Sequence, residues 1–93
     1  MSLQDRLNRL LQMQHDLRAK IVAEMWDIGH KRARLAEIRN LALLGKLTQE
    51  LKSEEERLKI EIMREVDKVN TLMRILKQVE YEIQLLQNQL QKQ

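Results

Sequence analysis

The residues best spaced for chemistry are two glutamates, Glu24 and Glu65, both at positions where the helical pattern calls for apolar side chains. Facing carboxylates inside a helical bundle are half of a di-metal site, which also needs Glu-x-x-His on two helices. Neither histidine completes it: three residues before His15 stands Gln12, and three before His30 stands Asp27. Each acid is therefore expected to turn outward or to pair with a base such as Lys20 or Lys68. Without cysteine there is no Cys/His nucleophile and no thiolate metal site, and two glycines cannot build a phosphate-cradling loop. No Ser/His/Asp arrangement is apparent. The bases lie on outer helix faces instead of converging on one pocket. These residues describe no enzyme and imply no cofactor, metal or small-molecule ligand.

The elements that hold these residues are helices. Core-type positions begin at Leu3, Leu7, Leu10, Gln14, Leu17 and Ile21, and continue through Glu24, Ile28, Lys31, Leu35, Ile38 and Ala42. A second ladder runs Leu44, Thr48, Leu51, Glu55, Leu58, Ile62 and Glu65, then Val69, Leu72, Leu76, Val79, Ile83, Leu86 and Leu90. Both alternate steps of three and four, the spacing of one helix face. They differ in phase by one residue across Gly45, so the chain breaks there. The expected fold is all-α: an antiparallel helical hairpin, a coiled coil, forming one module over residues 1–93. Helix one covers about 2–44, the turn about 45–47 and helix two about 48–92. A composition of 43% hydrophobic, 33% charged and 2% aromatic residues without proline suits long helices and not a mixed globular fold.

Closing the hairpin at Gly45 sets residues whose numbers add to about 89 or 90 opposite one another. The basic run His30–Arg34 then lies beside the acidic run Ser53–Arg57, and Glu24 comes near Glu65. The Gln-rich ends, 4–14 and 84–93, meet as well. Helix one carries Asp5/Arg9, Asp16/Lys20 and Asp27/Lys31 at i,i+4 with the acid first, the favourable order. Helix two can be capped by Thr48, or more strongly by Ser53 with Glu56 three residues on. The rival architecture is a parallel coiled-coil dimer, a rod or spacer that passes through Gly45 unbroken. A break at Gly29 would instead give a compact three-helix domain.

Apolar residues are also found outside the seam. On helix one these are Leu11, Val22, Met25, Trp26, Gly29, Ala33 and Ala36, with Leu43 beyond; on helix two they are Ile60, Met63, Val66 and Met73, with Ile75. A helix apolar beyond one stripe is usually buried on more than one side, and Met and aromatic residues are enriched at interface cores. Two helices alone cannot surround a core. The expected function is a non-enzymatic structural or scaffolding module for protein–protein interaction, cytoplasmic and soluble. Its partner is itself, a homodimer forming a four-helix bundle, or another helical protein.

The net charge of +3 is spread as +4 over residues 1–46 and −1 over 47–93. A basic helix binding nucleic acid or a membrane surface is the remaining alternative. A nucleic-acid binder calls for a stronger unneutralised stripe, and a membrane-surface helix for a more uniformly basic polar face. No apolar run approaches the roughly 18 residues needed to span a bilayer.

Overall fold

The computed structural model describes residues 2–92. Helix α1 spans Leu3–Leu43 and helix α2 spans Gln49–Gln91; they form a hairpin, with no strand among the described residues. Neither helix contains proline, and both are rich in Leu, Gln, Glu, Lys and Arg, which lose little rotamer freedom in a helix. Helix α1 is capped by Ser2, whose Oγ accepts the Asp5 amide at 3.1 Å. It runs through Gly29 without a break, which excludes the three-helix arrangement.

The chain reverses at Gly45. Its φ of +72° lies in the left-handed region that side chains disfavour. The Lys46 amide donates to the Leu41 carbonyl at 2.9 Å and the Gly45 amide to that of Ala42 at 3.1 Å. This paired closure is the Schellman motif, which ends a helix by satisfying its last carbonyls. An uninterrupted parallel rod through Gly45 is thereby ruled out.

Helix α2 is capped by Thr48, whose Oγ1 accepts the Leu51 amide at 3.1 Å. The stronger capping signal at Ser53 is not used, and Ser53 lies inside the helix. The reason is apolar: Leu47 and Leu51 pack against the buried cluster of Leu35, Ile38 and Leu58, an anchorage that a later start would loosen. A cap is worth about 1 kcal/mol, whereas burying a leucine is worth roughly 1.5–3 kcal/mol.

The hairpin comprises two compact units. The terminal half pairs Met1–Val22 with Asn70–Gln93, and the turn half is Ala23–Val69. In the terminal half, Leu7, Val79, Ile83 and Leu86 are buried, with Leu3, Leu10, Leu17 and Leu90 packed on them. The two ends thus meet through leucines. Their glutamines bond along their own helices, Gln4 to Asn8 at 3.0 Å and Gln84 to Asn88 at 3.2 Å. In the turn half the cluster around Ile38, which is fully buried, is joined by half-buried Ile62. Nearest the turn the seam positions lapse: Ala42, Leu44 and Thr48 are exposed.

Candidate protein–protein interface

The buried residues define heptad positions a and d on both helices. In the turn half, Ile28, Leu35 and Val69 are a positions, and Ile38 and Leu58 are d positions. Because α2 runs opposite to α1, the g rows of the two helices meet along one side of the seam and the e rows along the other. The two resulting flanks of the turn half differ.

The g flank is closed by charges. Arg34 Nε lies 2.6 Å from Glu54 Oε2, its Nη2 donates to Glu54 Oε1 at 3.1 Å, and its Nη1 reaches Glu37 at 3.0 Å. Lys68 donates to Glu24 at 2.8 Å. Lys31, a half-buried seam residue, donates to Glu65 and lies 3.1 Å from Asp27 and 3.4 Å from Glu61. Glu65 has one oxygen buried without a partner, so Lys31 bears the stabilisation of that carboxylate. Glu54 is held below its usual 4.5 by the Arg34 guanidinium. Lys31 titrates above its usual 10.5, first because of Glu65 and then Asp27, and Lys68 is raised by Glu24.

These pairs correct the expected register. Glu24 and Glu65 do not form a carboxylate pair; each is matched to a lysine of the opposite helix. The connection is centred beyond Gly45, since Leu43 and Gln49 are the helix ends, and facing residues therefore lie further along α2. Arg34 still meets the acidic run, at Glu54, but Lys31 reaches past it to Glu61 and Glu65. Of the acid–base pairs along α1, Asp27/Lys31 forms, while Asp16 accepts from Gln12 at 3.0 Å.

The e flank of the turn half carries exposed carbon and no ion pair between the helices among the described residues. Met25 is an e residue, Gly29, Ala36 and Leu43 are b, and Trp26 and Ala33 are f; all six are exposed. From α2, Ile60 and Met63 are exposed beside Val66, which is half-buried. Trp26 is 68% and Met63 66% exposed, values at which neither ring nor thioether belongs to a core. The Trp26 ring lies 6.2 Å from that of His30, centre to centre and tilted by 32°. Of the other candidate residues, Leu11, Val22 and Met73 are exposed in the terminal half.

Spacing within the second stripe did not single out the bases of the same flank. Arg32 and Arg39 are e residues of α1, and Lys59 is an e residue of α2. They rim an open groove of about 600 Å³ whose floor includes Leu35, Ala36, Leu43 and Ile62. The signal was present in the sequence as bases next to seam positions, but it was hidden by the assumption that all of 30–34 faces acids.

Among the described residues no group of three or more Asp, Glu or His side chains is placed to hold a metal ion. No described helix is long and apolar enough to cross a membrane. Compared with protein-family models, curated proteins and solved structures, the chain matches none.

Proposed function

We propose that the chain is a non-enzymatic protein–protein interaction module. It either self-associates, two hairpins making a four-helix bundle, or takes a helical partner on the e flank of the turn half. The observation that carries this reading is the exposure of Met25 and Met63 on that flank, with Trp26 and Ile60 exposed at outward f positions of the two helices, opposite a flank closed by ion pairs. Large apolar side chains gathered on one face mark interaction sites, whereas scattered ones do not.

The area of the chain supports association. Its accessible surface is 7138 Å². A folded monomer of 11.2 kDa is expected to show about 5,700 Å². The excess exceeds the roughly 800 Å² that each partner buries in a stable interface.

Sedimentation equilibrium at micromolar concentration tests the proposal, with the Trp26→Glu/Met63→Glu variant alongside. The wild type is expected to associate and the variant to sediment as a monomer with unchanged helicity. A wild-type monomer removes self-association and leaves the partner arm. An associated variant of unchanged mass would locate the contact elsewhere and defeat the assignment to this flank.

A further inference from the structure

The groove on the e flank has an apolar floor, and its rim is basic on both sides. Arg32 and Arg39 approach it from α1 and Lys59 from α2. Among the described residues, neither Arg32 nor Arg39 has an acid within ion-pair distance. On the g flank, by contrast, Arg34 and Lys68 are satisfied within the chain. An arginine beside an apolar trough, with no carboxylate of its own, is a complement waiting for one.

We propose that this groove receives an amphipathic helix from a different protein, one whose apolar stripe is edged by aspartates or glutamates. The inference rests on the interaction-module reading and names the class of partner. Arg32 and Arg39 are seven residues apart, so they stand about 10.5 Å apart along α1, the rise of two helical turns. Acids on a helix that follow its apolar stripe at the same heptad interval meet both guanidinium groups in turn. Apolar side chains on that stripe then fill the trough over Ala36 and Leu43, as in helix-in-groove recognition.

A second copy of this chain fits the groove less well. Its corresponding flank would bring Arg32, Arg39, Lys52 and Lys59 against the same four bases, with Glu56 and Asp67 as the acids on that face. Glu56 already lies 3.2 Å from Lys59, and Glu54 and Glu55 are paired to Arg34 and Lys59. The densest acidic run is therefore engaged at home, and like charges across the contact disfavour the homotypic pair.

The test uses the full chain and two synthetic three-heptad helices, both with leucine at a and d. One carries glutamate at e and g, the other lysine. Fluorescence anisotropy is expected to show the glutamate helix binding about tenfold or more tightly than the lysine helix, and less tightly as salt rises. The Arg32→Glu/Arg39→Glu/Lys59→Glu variant, its helicity checked by circular dichroism, should invert the preference. Equal binding of the two helices, or binding of neither, overturns the proposal. So does retention of phosphatidylserine vesicles or duplex DNA in place of the glutamate helix. If the chain self-associates through Trp26 and Met63 but ignores the glutamate helix, this inference falls and the interaction module stands. If it neither self-associates nor binds the helix, both fall.

Discussion

In the turn half, Ala23–Val69, cross-helix ion pairs and exposed carbon are sorted onto opposite flanks. Arg34, Glu54, Glu61 and Lys68 are on one; Met25, Gly29 and Met63 are on the other, where the bases Arg32, Arg39 and Lys59 stand without a cross-helix acid among the described residues. In the terminal half they are not sorted. There Leu11 and Met73 are exposed e residues, while Met13 and Ile75 are exposed g residues. Similar side chains thus make a surface in one unit and a scatter in the other. What distinguishes them is how the apolar residues are distributed about the seam. Cross-helix ion pairs also hold the terminal half, where Arg18 reaches Glu80 at 2.7 Å, but that pair lies among e residues.

The strongest challenge to this comparison is Ile38→Ala, because Ile38 lies beneath both flanks and is fully buried. Denaturant unfolding should show a loss of about 2–5 kcal/mol. A loss near zero would mean that the ion pairs, and not the seam, hold the turn half together.

A smaller effect is expected from pH. The folded-state value of Glu54 is lowered, so its contribution is present above about 4.5 and disappears as pH falls through the lowered value. Lys31 and Lys68 are raised, so theirs are complete below 10.5 and are lost only as pH climbs beyond it. Thermal melts should therefore show a plateau through neutrality with an acid limb below pH 4.5. Asp27, lowered by Glu65 and Lys31, adds to that limb, so Glu54→Gln should shrink it without removing it and Arg32→Gln on the other flank should leave it unchanged; a smaller limb in Arg32→Gln would erase the distinction between flanks.

The mildest change is Gly29→Ala. An added Cβ meets nothing within 4 Å, and alanine in a helix interior is better than glycine by about 1 kcal/mol. A modest rise in melting temperature is expected. A fall would show that a second copy packs closely against Gly29 in solution.

The seam was readable residue by residue from Leu7 to Ile38 and from Leu51 to Leu90, because one-sided burial leaves a three-four spacing. The turn was readable because an αL helix end demands glycine. The register was less accessible. Spacing says which face is buried, but the five residues from Leu44 to Thr48 decide how far α2 is displaced, and their closing hydrogen bonds leave no periodic trace. The same limit explains Ser53: propensity favoured it, and the packing of Leu51 overruled it. The apolar flank was legible as surplus carbon at Trp26 and Met63. The unpaired arginines beside it, Arg32 and Arg39, became visible only once Arg34 and Lys31 had found their acids.

A repeating apolar seam alone permits sliding, since leucine meets leucine again after every seven residues. Lys31 removes that freedom. Displace α2 by one heptad in either direction and the Lys31 ammonium would stand against Leu58 or Leu72 in place of Glu65, keeping only Asp27 of its own helix and leaving the Glu65 carboxylate without its base. The hairpin therefore carries its own vernier mark, which locks from within the arms the register that the Leu44–Thr48 connection sets at their end.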